Sequence, residues 1–185
     1  MTNHPPASSE TAPTQEAGAL DVLAAAPAAE LEKTLLEICS SPRWAAAIIA
    51  ARPWADRDAL LAANAAAMAR LTAGDLEDAM AGHARIGSPK AGDATSEREQ
   101  AGIHGVDTAL LDDLREANTA YEAKFGHVFL ICATGRTAAT MLAALRERFP
   151  NNAATEAEIV RGELRKINDI RLDRLLDEFP RGSDE

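Results

Sequence analysis

Apolar residues recur at helical spacing along most of this chain. Leu31, Leu35 and Ile38 form a first stripe, entered through Pro27, a residue suited to a helix's first turn. Ser41 and Pro42 read as an N-cap and first helical residue for a short helix that buries Trp44, Ile48 and Ile49, before Pro53 breaks the chain. A helix from about Asp56 carries Leu60, Asn64, Met68 and Leu71 on one face. Thr72 and Asp75 mark the next start, with stripe Leu76, Met80 and His83. Gly82, Gly87, Pro89 and Gly92 make residues 82–95 a loop, and Ser96-Glu97-Arg98-Glu99 opens a further helix. Leu110, Leu111, Leu114, Tyr121 and Phe125 continue the period up to Gly126, a left-handed cap.

Residues 128–132, Val-Phe-Leu-Ile-Cys, are the only strand-like run. A lone strand has no partner, so the pattern predicts a buried extended segment. Helical spacing resumes from Thr137 through Met141, Leu142, Leu145 and Phe149 to Pro150. The last helix is expected to start at a Thr155–Glu158 box and run to about Glu178, ahead of Pro180. The expectation is an all-α, single-domain bundle of about seven or eight helices with one short buried extended segment. Residues 1–18 hold Pro5, Pro6, Ser8, Ser9, Pro13 and Gly18 and few core-forming side chains. They read as a disordered tail on a domain spanning residues 19–180.

Composition narrows the function. Lys and Arg number 19 against 29 Asp and Glu, a net charge of −10. That balance speaks against gripping nucleic acid or an anionic membrane, both of which need clustered cations. No apolar run approaches the roughly 20 residues that span a bilayer, and no basic stretch leads into an apolar run at the N-terminus, so neither an anchor nor a signal peptide is expected. Cys39 and Cys132 have no metal-ligand spacing and form no disulfide framework. They predict reduced, buried thiols in a cytoplasmic protein without a metal site.

Three positions conflict with pure packing. His83 shares a face with Leu76 and Met80 at a helix end. It is either a structural histidine favoured by the helix dipole or an acid–base group at a pocket mouth. Arg171 interrupts the stripe Val160, Leu164, Ile167, Leu175. It either snorkels to solvent or is held by an anionic partner. Glu99 either closes a capping box with Ser96 or faces a ligand from a helix N-terminus. Spacing leaves each pair of readings open. Of the other histidines, His104 reads as exposed, His127 adjoins the extended segment and His4 belongs to the tail.

Residues 82–87, Gly-His-Ala-Arg-Ile-Gly, residues 96–100, Ser-Glu-Arg-Glu-Gln, residues 121–133 and Ile170-Arg171-Leu172 together resemble the OHCU decarboxylases, which act on 2-oxo-4-hydroxy-4-carboxy-5-ureidoimidazoline, an intermediate of uric acid breakdown. Gly82-His83-Ala84-Arg85-Ile86-Gly87 resembles that family's His-Pro-Arg-Ile-Gly motif, and Ser96-Glu97-Arg98-Glu99-Gln100 its Ser-x-x-Glu-Gln. Tyr121-Glu122-Ala123-Lys124-Phe125-Gly126 followed by Phe129-Leu130-Ile131-Cys132-Ala133 is similar to its Tyr-x-x-(Lys/Arg)-Phe-Gly and Phe-x-Ile-Cys-Ala segment. Ile170-Arg171-Leu172 resembles its Leu-Arg-Leu, and Trp44 and Arg52-Pro53-Trp54 its Trp and Arg-Pro-Phe positions. The likeness covers roughly residues 20–178. Ala84 replaces the family's frequent Pro, and Thr134-Gly135-Arg136 replaces Arg-Gly-Lys.

The resemblance implies an all-α fold without cofactor or metal. It places His83, Glu99 and Arg171 at the family's essential polar positions, with His83 as the acid–base group. It implies substrate contacts from Ala84, Ser96, Glu97, Arg98 and Gln100 and from Phe129, Leu130, Ile131, Cys132 and Ala133. The implied reaction is decarboxylation of OHCU to (S)-allantoin. A homodimer and a functional link to uricase and hydroxyisourate hydrolase are compatible with it. The competing expectation is a non-catalytic helical interaction module, in which the three polar residues would not converge.

Overall fold

The computed structural model describes residues 12–88, 94–103 and 105–178, residues 12–17 and 96 by their backbone alone. Among these residues nine α-helices follow in order: α1 Ala12–Ala25, α2 Ala28–Ile38, α3 Pro42–Ala50, α4 Arg57–Ala69, α5 Ala73–Ala81, α6 Ala94–Glu99, α7 Thr108–Phe125, α8 Ala138–Arg148 and α9 Ala153–Glu178. A 3-10 turn at Ala101–Ile103 links α6 to α7, and the described residues contain no strand. The all-α expectation holds, with more helices than the pattern resolved. The extra helix is α1, which starts at Ala12, inside the stretch read as a tail. It buries Leu20 and Leu23 in the core. Residues 1–11, with His4, and residue 104 lie outside the described residues.

Most helix starts follow their cap chemistry. Ser41 accepts from the Trp44 N–H, Asp56 from Ala59, and Thr72 with Asp75 forms a reciprocal box. Gly126 stands at φ 78° and its N–H closes α7 on the Glu122 carbonyl. Two starts differ from expectation. Asn152, not Thr155, caps α9: its Oδ1 accepts from the Thr155 N–H at 2.9 Å, and its carbonyl accepts from Glu156. Helix α6 begins at Ala94, so Ser96 lies within it rather than at its cap. Phe149, counted with the inward stripe of α8, is 37% exposed.

Two apolar cores result. In the first, α1 to α5 pack around α9, with Trp44, Ile48, Leu60 and Met68 set against Leu164 and Leu172. Asn64, out of place in its stripe, accepts from Trp44 Nε1 at 2.8 Å and donates to Asp169 at 2.7 Å, so its burial leaves no amide end unmet. In the second, α7 packs on α8 around Leu114, Tyr121, Met141 and Leu145. The segment after Gly126 runs along the seam. Leu130 and Cys132 enter the first core, while Phe129, Ile131 and Ala133 enter the second. That alternation is the two-residue period of extended chain, as the sequence predicts. Among the described residues no helix is long and apolar enough to cross a membrane.

Candidate active site

Helix α5 ends at Ala81, and the His83 N–H turns back onto the Met80 carbonyl at 2.9 Å. This puts the half-buried His83 side chain just past the helix end. The loop that follows is tied down by amides. Gln100 Oε1 accepts from the Gly87 N–H at 3.0 Å, its Nε2 donates to the Arg85 carbonyl at 3.1 Å, and Asn118 Nδ2 donates to the Ile86 carbonyl at 2.9 Å. Gln100 was expected to contact the substrate. It borders the site, but both ends of its amide bind the His83 loop.

Glu99 closes α6, and Arg171 meets it from α9. Arg171 Nε and Nη2 donate to the two Glu99 oxygens at 2.7 and 2.9 Å, and Nη1 donates to the Ile38 carbonyl at 2.7 Å. The pair is mostly buried, with side-chain exposures of 14% and 13%. The snorkelling reading of Arg171 and the cap reading of Glu99 are thereby excluded. Glu99 spends its carboxylate on Arg171 and not on a helix cap, and the Arg171 head stays out of solvent. Three of the five guanidinium N–H groups are engaged, which leaves two for a ligand.

The extended segment forms another wall and is held by side chains. Arg148 Nη1 donates to the Leu130 carbonyl at 2.8 Å, and the Cys132 N–H donates to Glu163 at 2.8 Å. Arg136 Nε folds back to the Cys132 carbonyl at 3.1 Å, so the cation that replaces the family's Lys braces the backbone. The turn over residues 133–136 needs Gly135, at φ 76°.

Behind the wall, Glu156 is buried among Arg148, Tyr121 and Asn151. Burial opposes its charge, but hydrogen bonds from Arg148, Tyr121 and Asn151 outweigh that and hold its carboxyl below the usual range. The Tyr121 phenol is pushed up by burial and by its hydrogen bond to Glu156. At Glu163 burial is likewise outweighed, by hydrogen bonds from Lys166 and Cys132 and by the Lys166 and Arg136 charges, so its carboxyl is also lowered. Burial and the Glu163 and Glu99 carboxylates push the Cys132 thiol up, and burial does the same at Cys39. Neither thiol is primed as a nucleophile.

His83, Glu99 and Arg171 line one recess, together with Ala84, Gln100, Phe129, Leu130, Ile131 and Ala133. The space, its open mouth included, is about 500 Å³. The other expected contacts lie elsewhere. Cys132 turns its N–H to Glu163 outside the lining, and Glu97 is exposed. Arg98 turns to Glu178 at 3.5 Å, beside a neighbouring recess, and the Ser96 side chain is outside the described residues. The sequence reading missed Gly82, Ile86, Thr134, Ile167 and Ile170 as lining residues. Ile167 was readable, since it precedes Arg171 by one helical turn.

The family model for OHCU decarboxylase matches residues 24–173. The chain belongs to the OHCU decarboxylase family. All three polar residues fall inside the matched span. Over 144 residues the chain is 31% identical to the uric acid degradation bifunctional protein TTL of Arabidopsis thaliana, covering 74% of this chain and 44% of that protein. Over 84 residues it is 30% identical to 2-oxo-4-hydroxy-4-carboxy-5-ureidoimidazoline decarboxylase of Amia calva, covering 45% of this chain and 48% of that protein. The chain thus spans less than half the length of these curated relatives. A crystal structure of OHCU decarboxylase in the presence of (S)-allantoin superposes with a TM-score of 0.66 at 30% identity, covering 77% of this chain and 96% of that one. A crystal structure of (S)-allantoin synthase, 20% identical, also has a TM-score of 0.66, with 84% of this chain and 53% of that one covered, and shares the fold.

Proposed function

We propose that this chain decarboxylates OHCU to (S)-allantoin in uric acid degradation. One observation carries the reading: His83, Glu99 and Arg171, on three separate elements, line a single recess. A helical interaction module on the same scaffold would have no reason to gather them.

Breaking the bond to the carboxylate leaves an electron pair on a ring carbon. The adjacent ring C=N or C=O delocalises that pair, so the substrate itself supplies the sink. The protein's share is to orient the substrate, exclude water and deliver a proton. His83 is the acid–base group, and it lines the recess. Glu99, fixed by Arg171, retains lone pairs that accept from a hydroxyl or ureido N–H, while Arg171 presents its remaining N–H groups to a carbonyl. Protonation from one face accounts for a single enantiomer. A cytoplasmic setting belongs to the same proposal, supported by the two free, buried cysteines.

Fresh OHCU tests the reading, because the compound also decays without an enzyme to racemic allantoin. Circular dichroism of the product separates the two routes. The expected result is an enantiomeric excess with the wild type, and a fall in kcat of about 10²–10⁴-fold in His83→Ala. A His83→Ala protein with wild-type rate and enantiomeric excess would make His83 a structural helix-end residue.

A further inference from the structure

The wall formed by residues 129–133 is clamped by side chains at Leu130 and Cys132, and it ends in the turn whose Arg136 N–H donates to the Ala133 carbonyl. Arg148 holds the Leu130 carbonyl, Glu163 holds the Cys132 N–H, and Arg136 holds the Cys132 carbonyl. All three side-chain clamps act on even-numbered residues. Among the described residues nothing bonds to the N–H or C=O of Phe129 or Ile131, or to the N–H of Ala133. Phe129, Ile131 and Ala133 line the recess, as does Leu130. In extended chain the amide groups of alternate residues point to opposite sides. The side-chain clamps therefore occupy one edge of the segment and leave the amide groups of Phe129 and Ile131 and the Ala133 N–H, all on residues that line the recess, open on the other.

Glu163 is the clamp on the residue between Ile131 and Ala133. It is 8% exposed and does not line the recess. Its second oxygen is held by Lys166 at 2.7 Å, which fixes the direction of the first. Two turns earlier on α9, Glu156 holds the Arg148 guanidinium that pins Leu130. One helix thus sets the segment at two successive levels. We propose that Glu163 is a positioning residue: through the Cys132 N–H it fixes the free edge at Ile131 and Ala133 in the register that meets the alternating N–H and C=O groups of a ureido-bearing substrate. The ureido chemistry rests on the OHCU reading, whereas the clamping of the backbone does not.

Three variants of the full chain test it. Glu163→Gln keeps an oxygen acceptor for the Cys132 N–H. Glu163→Ala removes it. Glu163→Asp keeps the charge and withdraws the acceptor by about 1.5 Å, one carbon–carbon bond, and carries the test if the alanine variant does not fold. The readouts are amide hydrogen exchange at residues 131–133, kcat and KM on fresh OHCU, and the enantiomeric excess of the allantoin formed. In Glu163→Ala and Glu163→Asp, exchange should rise about tenfold or more. In the same variants kcat/KM should fall about 10- to 10²-fold, the scale of a small misplacement. Enantiomeric excess should drop, while the shape of the pH–rate profile stays that of the wild type. Glu163→Gln should stay within about threefold of wild type. Wild-type exchange and kcat/KM in the folded alanine or aspartate variant would overturn the proposal. So would a glutamine variant as impaired as the alanine one, since the charge beside Lys166 and Arg136 would then be what matters. If the wild type itself does not turn over OHCU, the reaction assignment falls. Exchange then decides the clamp alone, faster exchange in Glu163→Ala supporting it and equal exchange refuting it.

Discussion

Arg171→Met is the most informative single perturbation of the recess. It keeps an unbranched apolar stem and removes two charge-assisted hydrogen bonds to Glu99, at 2.7 and 2.9 Å, and one to the Ile38 carbonyl at 2.7 Å. An exposed ion pair contributes about 0–1 kcal/mol, whereas breaking a buried one costs about 3–5 kcal/mol because a charge is stranded. Exposures of 14% and 13% put this pair near the buried limit. A loss of about 3 kcal/mol is therefore expected. With a urea slope of about 2 kcal/mol per molar, the unfolding midpoint should drop by about 1.5 M, followed by far-ultraviolet circular dichroism. Glu99→Gln retains an acceptor and strands no anion, so its cost should be about 1–2 kcal/mol. In the double variant neither charge remains, and the combined loss should fall short of the sum by at least about 1 kcal/mol. Both single variants should also lose OHCU turnover by about 10²-fold or more. A midpoint shift under about 0.3 M for Arg171→Met, with additive single effects, would show the guanidinium in water, and the site built on it would be wrong.

Acid should weaken the fold through Glu156 and Glu163. Both carboxyls are lowered from 4.5 in the folded protein, so their contribution is complete above that value and is lost as pH falls through the folded values. Urea midpoints should hold from about pH 7 to 5 and decline below about 4.5, with a shallower decline in Glu163→Gln; a flat profile to about pH 3 would contradict the assignment. Two glycines should respond in opposite senses. A Cβ at Gly102 would stand 1.8 Å from the Arg136 carbonyl oxygen, so Gly102→Ala should cost at least about 2 kcal/mol and shift the turn that follows Glu99 and Gln100. Gly74 lies exposed in α5 with nothing within 4 Å of a Cβ, so Gly74→Ala should stabilise by about 0.5–1 kcal/mol in the same urea assay.

The sequence alone determined the helical class, because apolar period and cap chemistry are local. Ser41-Pro42, Asp56 and the Thr72–Asp75 box start their helices as read, and Gly126 stops α7 where a left-handed residue was needed. The unpaired run at 128–132 was legible for the same reason: it has no neighbouring strand signal and is apolar on both alternations. Local signals failed where chemistry could serve two ends. Thr155–Glu158 has the form of a box, but Asn152 reaches the orphaned N–H first, and Ser96 lies inside α6 because the helix opens two residues earlier.

The site's polar residues stood out by violating the pattern, as His83 and Arg171 do on their stripes. What each of them does was decided only by tertiary structure. Whether Arg171 snorkels or pairs depends on where α6 ends relative to α9, 72 positions apart in the chain. Gln100 looked like a ligand contact and binds the His83 loop, because its amide ends meet the Arg85 and Gly87 backbone. Glu163 gave no signal at all. A glutamate in a charged helix is ordinarily solvated, and its burial against the Cys132 N–H arises only when the extended segment lies along α9. Period and caps act within a few residues, while a buried charge takes its meaning from whichever distant group the fold brings within about 3 Å of it.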